Sequence, residues 1–341
     1  MPLDSLQLVT LSPIILPILL TFAVALLGTG LIHKLFFWMK FLDYPNERSS
    51  HTIPKPSGGG IAILVAIGIS LIIFELDKVF LPPGTKLIFI MAIIIGAISL
   101  LDDIKGLSPL SRLFFQILCI SFTIVNIELP NSITLKPLPE WVQLFFVGMF
   151  WLWFMNLYNF MDGIDAITSV ETSFICLSII FLSFISLSPP SLIAPAAIIT
   201  AASSGFLVWN WPPSKLFLGD AGSVPLGFLV GWLLIEVFFS GYWVVAMILP
   251  GYYLADATLT LMNRLWQGKN IWRSHQEHFY QRAFLGGLSH SAIVMRLIFV
   301  NLLLLSISAM LAREYPILAL LAAIVLIGLF LFFLASQKKV I

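Results

Sequence analysis

A chain of 341 residues that is 59% hydrophobic and only 10% charged cannot hide its apolar surface in a water-soluble fold, where about a quarter of the residues carry charge. A net charge of +1 with no basic run excludes a nucleic-acid binder. The two cysteines, Cys119 and Cys176, lie in apolar stretches and show no metal-ligand spacing.

Crossing hydrocarbon takes about 20 mostly apolar residues in a helix. Eleven candidate stretches appear, at roughly 13–37, 60–76, 86–101, 110–127, 141–159, 168–187, 192–209, 223–240, 242–263, 291–311 and 316–336, several short or merging with a neighbour, which gives ten to twelve spans. The expected fold is an all-α integral membrane protein of about eleven spans, one polytopic domain over 1–341. The first stretch follows no basic segment and exceeds the length of a signal-peptide core, so it is read as a span. Sorting the loops by side puts fourteen of the eighteen Lys and Arg residues on one side and four on the other. The positive-inside rule makes the first side cytoplasmic, with a periplasmic N-terminus and a cytoplasmic C-terminus. Loops 38–59 and 264–290 are then cytoplasmic and available to a site. The absence of an internal repeat weakens a carrier built from duplicated halves.

The polar motifs follow in chain order. In the first cytoplasmic loop, Arg48, His51 and Lys55 precede Gly58-Gly59-Gly60. A basic loop and a glycine run entering a helix suit a phosphate cradle, though ordinary loop chemistry would look similar. Asp102-Asp103-Ile104-Lys105 closes the third span. Adjacent carboxylates repel and need a cation or proton, and Lys105 offers a counter-charge; a solvated helix terminus is the plainer alternative.

Asn156, Asn159, Asp162 and Asp165 end the fifth span at intervals of three. On a continuing helix they share a face, and such a stripe does not face lipid, where a carboxylate costs roughly 2.5–3.5 kcal/mol. Asn210-Trp211-Pro212-Pro213 forms a rigid turn, and Phe217-Leu218-Gly219-Asp220-Ala221-Gly222-Ser223 opens the eighth span. An Asp between glycines at a helix start suits metal or anion binding, or simple capping. The last block holds Arg273, His275, Glu277, His278 and Arg282. His275 and His278 are expected on one helix face, binding phosphate, a zinc ion or nothing.

Asp102, Asp103, Asp162, Asp165 and Asp220 all fall at cytoplasmic ends of spans on the Lys/Arg count. Carboxylates gathered on one side suggest a hard divalent cation, Mg²⁺ or Mn²⁺.

With these blocks in this order, from Asp43 to about Arg282, the chain resembles the polyprenyl-phosphate N-acetylhexosamine-1-phosphate transferases, relatives of the phospho-N-acetylmuramoyl-pentapeptide translocase. The resemblance implies a ten- or eleven-helix enzyme of the bacterial cytoplasmic membrane with its site on the cytoplasmic face, and a possible homodimer. It implies Asp220 as the Mg²⁺ ligand, and Asp102 and Asp103 as an acidic pair near metal and lipid phosphate. It gives Asp162 and Asp165 catalytic and uridine-side roles. Asn210 and Phe217 become nucleotide contacts, and Arg273, His275, His278 and Arg282 hold pyrophosphate or sugar. The spacing His-Gln-Glu-His departs from the consecutive histidines of the translocase and is more similar to the branch that initiates O-antigen and other surface polysaccharides. The implied reaction moves an N-acetylhexosamine (or 6-deoxy amino sugar) 1-phosphate from a UDP-sugar to undecaprenyl phosphate and releases UMP. A transporter using an acidic cluster is the competing reading, but it predicts carboxylates near mid-membrane rather than at one boundary.

Overall fold

The computed structural model describes residues 12–45, 50, 53–76, 81–127, 139–270 and 275–337. Arg48, His51 and Arg273 lie outside the described residues. The chain is almost entirely helical. Helix α1 is Ser12–Trp38, and a two-residue antiparallel pair, β1 (Leu42–Asp43) and β2 (Lys55–Pro56), closes the loop after it. Then come α2 (Gly60–Leu76), α3 (Thr85–Lys105), α4 (Pro109–Asn126), α5 (Glu140–Phe160), α6 (Ile167–Phe184), α7 (Ile193–Asn210) and α8 (Asp220–Val237). The chain continues through α9 (Trp243–Ile248), α10 (Gly251–Trp266), the short α11 (Phe279–Leu285), α12 (His290–Leu311) and α13 (Pro316–Ser336).

Among the described residues, nine helical segments are long and apolar enough to cross a membrane, and Gly60–Leu76 is a shorter apolar helix. The protein is an all-α polytopic membrane protein. One boundary differs from the sequence expectation. The stretches at 223–240 and 242–263 are not two uniform spans: one helical run covers Asp220–Ile248 with a break at Gly241 (φ 94°), and α10 starts afresh after Pro250. Glycine tolerates that backbone at no steric cost, so the chain turns there and comes back. Asp220 at the start of α8 and Asp256 on α10 consequently lie toward the same end of the bundle.

Helix α8 is buried on all sides, which is how an all-round apolar helix behaves in the middle of a bundle. It packs on α5 closely enough that a Cβ on Gly227 would meet the Tyr158 Cβ at 2.8 Å. Beside it, Trp151 and Phe228 stack at 4.6 Å between ring centroids, and Trp151 Nε1 donates to Phe228 O at 2.8 Å. An indole N–H in hydrocarbon needs such a partner. Between α6 and α12, Asn301 Nδ2 donates to the buried Glu171 carboxylate at 2.7 Å. These contacts fix the helices whose ends carry the polar motifs.

Candidate active site

Helices α3, α5 and α7 end, and α2, α4, α6, α8 and α12 begin, at one end of the bundle, joined there by contacts between their connecting turns. Gly59 N donates to Phe217 O (2.8 Å), Gly60 N to Leu218 O (2.9 Å), Ser50 Oγ to Gly163 O (3.0 Å) and Tyr280 Oη to Phe160 O (3.2 Å). The first two bonds correct the sequence reading of the glycine run. Its Gly59 and Gly60 amides are spent on backbone carbonyls and do not form a phosphate cradle. The glycines serve close approach instead, since a Cβ on Gly60 would lie 2.1 Å from Gly222 Cα.

Three groups of side chains gather at this end. In the first, Arg112 Nη1 lies 3.0 Å from Asp102 Oδ2 and 3.5 Å from Asp220 Oδ2. Gly106 (φ 66°) reverses the chain after α3 and Ser108 caps α4, which lays the first turn of α4, with Arg112, over the end of α3. Asp102 is buried, and its other oxygen accepts from Leu107 N at 2.6 Å. Both its oxygens are therefore occupied. Asp103 points elsewhere: its Oδ2 accepts from Ala221 N at 3.4 Å and would touch a Cβ on Gly219 at 3.2 Å. Gly219 (φ 73°) has no Cβ and adopts this conformation freely. Asn159 bonds the Asp220 carboxylate, and its Oδ1 accepts from Ser223 Oγ at 2.5 Å. The counter-charge expected from Lys105 comes from Arg112. Lys105 sits exposed in the last turn of α3, and no ion pair joins it to a described residue.

The second group surrounds the turn between α5 and α6. The expected polar helix face does not continue through it: α5 stops at Phe160, and Asp162 and Asp165 lie in the non-helical segment before Ile167. Gly163 and Ala166 (φ 66°) interrupt the helix. Asn156, still on α5, donates to Gln116 Oε1 of α4 and to Leu152 O, both at 2.8 Å, one turn away from the carboxylates. Asp165 accepts from Ser214 Oγ (2.7 Å) and Ser214 N (3.0 Å), with His290 Nδ1 at 3.2 Å and Lys55 Nζ at 3.9 Å. Lys55 also stands 5.1 Å over the Phe217 ring. Asn210 is buried between the segments it joins; its Oδ1 accepts from Ala166 N at 2.9 Å and its Nδ2 donates to Leu216 O at 3.0 Å. A cavity of about 470 Å³ opens beside Asp165, Lys55 and His290.

These two aspartates, three residues apart, sit in opposite electrostatic environments. Burial raises the carboxyl of Asp162 to about 7, helped by repulsion from Asp220 and Asp165 and opposed by a hydrogen bond from Thr168. Burial also raises Asp165, but hydrogen bonds from His290 and from the backbone and side chain of Ser214 outweigh it, leaving the group at about 2. A pair pushed apart in this way divides the work: Asp165 is a permanent anion, and Asp162 is poised to exchange a proton near neutrality.

The third group is built on Asp256 of α10. This buried carboxylate accepts from Phe279 N (3.0 Å), Tyr280 N (3.3 Å) and Tyr252 Oη (3.1 Å), and faces His278 Nδ1 at 3.1 Å. His275 and His278 are not on a shared helix face, because α11 starts only at Phe279. Their rings stack instead, at 5.0 Å between centroids. Burial and the neighbouring His278 lower His275 to about 4, so it is neutral at physiological pH. Arg282 is exposed and lies over the Phe279 ring at 5.6 Å, apart from the carboxylates.

Asp256, Arg112, Ser214 and His290 carry no motif signal. Asp256 shows only as a lone acid inside an otherwise apolar helix, a pattern that points to a partner. Arg112 lies ten residues past Asp102, outside any helical neighbourhood of it.

Among the described residues, no three His, Cys, Asp or Glu side chains form a ready metal cage. The donor set nevertheless fits Mg²⁺. Arg112 is shared by Asp102 and Asp220, and Asp103 stands beside them without an ion pair to a described residue, which leaves an excess of negative charge. Mg²⁺ takes one or two carboxylates and completes its shell with water and substrate phosphates.

The family model for glycosyl transferase family 4 matches residues 86–238, which contain the first two groups apart from Lys55 and His290. A Streptococcus thermophilus protein named phospho-N-acetylmuramoyl-pentapeptide-transferase is 30% identical over 260 residues, 68% of this chain and 74% of that protein. The chain belongs to glycosyl transferase family 4. Two other relatives are an undecaprenyl-phosphate alpha-N-acetylglucosaminyl 1-phosphate transferase of Thermotoga maritima (29% identical; 70% of this chain, 71% of that protein) and a decaprenyl-phosphate N-acetylglucosaminephosphotransferase of Mycobacterium leprae (24%; 79% and 76%). This member of family 4 is accordingly an enzyme, a phosphotransferase.

Proposed function

We propose that this family 4 enzyme transfers an N-acetylhexosamine 1-phosphate, or the 1-phosphate of a 6-deoxy amino sugar, from a UDP-sugar to undecaprenyl phosphate. UMP leaves, and the lipid-linked pyrophosphoryl sugar initiates O-antigen or another surface polysaccharide. The site faces the cytoplasm across the bacterial inner membrane, the side carrying fourteen of the eighteen Lys and Arg residues. The observation that carries this reading is Arg112 held between Asp102 and Asp220 at the end of the bundle where Asp103 and Asn159 also converge. A polyprenyl phosphate presents its headgroup at such a boundary while its chain lies in hydrocarbon.

In this mechanism an oxygen of the lipid phosphate attacks the β-phosphorus of the UDP-sugar, and the bond from that phosphorus to the UMP oxygen breaks. Asp220 would hold Mg²⁺, which would supply charge neutralisation for the diphosphate. Of the acidic pair, Asp102 is committed to Leu107 N and Arg112, so Asp103 is the carboxylate free to keep the lipid phosphate ionised. That needs little basicity, since a phosphate monoester's second pKa is ≈ 6. Arg112 offers its fork to the phosphates, as guanidinium suits them bidentately. Lys55 and Phe217 face the donor side, with Asp165 fixing the lysine.

The test is incubation of membranes containing the protein with undecaprenyl phosphate and a panel of radiolabelled UDP-sugars. One donor is expected to give an organic-soluble product together with UMP. No lipid-linked product from any donor would overturn the proposal.

A further inference from the structure

His290 is the first residue of α12, and its backbone is set by Ser289, whose Oγ accepts from Ala292 N at 3.2 Å. Its ring is packed on Phe284 of α11 at 4.7 Å between centroids. The Nδ1 atom accepts from the Asp165 backbone N at 3.3 Å and lies 3.2 Å from Asp165 Oδ2. Nδ1 thus faces both the backbone and the carboxylate of Asp165 and is the ring nitrogen that ties α12 to that turn. Nε2 is buried with no hydrogen-bond partner. Leaving a buried polar atom unpaired is costly, and a residue with only a packing role would be better served by an apolar ring. The cost is tolerated where the other nitrogen holds something that matters.

What it holds is a wall of the cavity. Asp165 sits in a non-helical turn, so its carboxylate direction is set by its partners, Ser214 on one flank and His290 on the other. Lys55 takes its bearing from the same pair, donating to Ser214 Oγ at 3.1 Å with Asp165 Oδ2 at 3.9 Å. Asp165, Lys55 and His290 all line the cavity of about 470 Å³. We propose that His290 is a positioning residue for donor binding, acting through its Nδ1 on Asp165 and thereby on Lys55. This rests on the reading that the cavity receives the nucleotide-sugar donor.

The experiment compares wild type with His290→Asn and His290→Gln in purified, detergent-solubilised enzyme. The asparagine amide reaches the position of Nδ1, and the glutamine amide that of Nε2. UMP release is followed against UDP-sugar concentration at saturating undecaprenyl phosphate, and melting temperature is recorded for all three. Loss of the Nδ1 contacts with Asp165 predicts a donor KM raised about tenfold or more in H290Q, with kcat within about threefold. H290N should keep its donor KM within about threefold of wild type. Equal KM values in the two variants would overturn the inference, as would a fall in kcat at unchanged KM. A matched loss of melting temperature and affinity in both variants would show packing alone and overturn it too. Wild-type enzyme that turns over no UDP-sugar would overturn the proposed function and this inference with it; normal wild-type turnover with indistinguishable variants overturns the inference alone.

Discussion

Arg112 Nη1 on α4 stands 3.5 Å from Asp220 Oδ2 on α8, although 108 residues separate them in the chain. The same guanidinium is 3.0 Å from Asp102. It therefore couples Asp102 at the end of α3 to the carboxylate proposed to hold the metal. Replacing Arg112 by alanine should lower kcat for UMP release by about a hundredfold or more, the scale of a lost preorganised phosphate donor. Lysine should recover only part, because it keeps the charge and loses the planar fork. Steady-state UMP release checks this, and an alanine variant within threefold of wild type would remove Arg112 from the site.

Asp220 is the residue proposed above to hold Mg²⁺. Asp220→Asn should abolish Mg²⁺-dependent UMP release while the protein still inserts and purifies normally, because the amide preserves shape and removes the anionic ligand. Titration of Mg²⁺ against activity in both proteins is the measurement. Full activity in the variant at the same Mg²⁺ would refute the role.

The pH behaviour follows from Asp162 and Asp165. Asp162 is raised to about 7 in the folded protein, so between roughly pH 4 and 7 the folded state holds a proton that the unfolded chain has released. Its contribution to stability therefore falls as pH rises through that window, by about 4 kcal/mol in all. Asp165, lowered to about 2, works the other way: its stabilisation is complete above about pH 4 and lost as pH falls toward 2. Melting temperature of detergent-solubilised protein should decline from pH 5 to 7, and Asp162→Asn should flatten that slope. In activity the same group predicts an acidic limb near pH 7. A variant with an unchanged stability slope would contradict the assignment.

Much of this arrangement is legible in the sequence because membranes impose strict rules. Apolar stretches announce helices, and scarce carboxylates at span ends announce a site. The motif blocks around Asp102, Asp162 and Asp220 are short-range patterns. What escaped is long-range. Nothing local says that the amides of Gly59 and Gly60 pair with Phe217 and Leu218, or that Arg112 rather than Lys105 meets Asp102. The Asn156-to-Asp165 stripe reads as helix because its spacing is helical; the chain stops at Phe160 because Gly163 and the αL residue Ala166 break the pattern. Asp256 and His290 each lie in apolar or ordinary surroundings, and only folding supplies their partners.

Asp256 holds α11 in place through Phe279 N, Tyr280 N and His278. Asp256→Ala should cost roughly 3 kcal/mol or more, since several buried donors lose their acceptor together. Limited proteolysis is expected to cut the segment between α10 and α11 faster in the variant than in wild type. An unchanged cleavage rate would show that the anchor is dispensable.

Tyr280 transmits that anchor to the carboxylate turn. Its hydroxyl donates to Phe160 O at 3.2 Å, and a Cβ on Gly163 would lie only 2.2 Å from Tyr280 Oη and 3.0 Å from Gln281 Nε2. Gly163→Ala therefore forces α11 away from the turn that carries Asp162 and Asp165, an overpacking cost of about 1–3 kcal/mol. Because the displaced turn holds both carboxylates, activity should drop by more than stability alone accounts for, about tenfold or more. Tyr280→Phe removes the nearest clashing atom, so the Gly163→Ala/Tyr280→Phe double variant should regain part of both losses. A double-mutant cycle read by melting temperature and UMP release measures the coupling. Strictly additive effects would mean that the two residues do not meet as described.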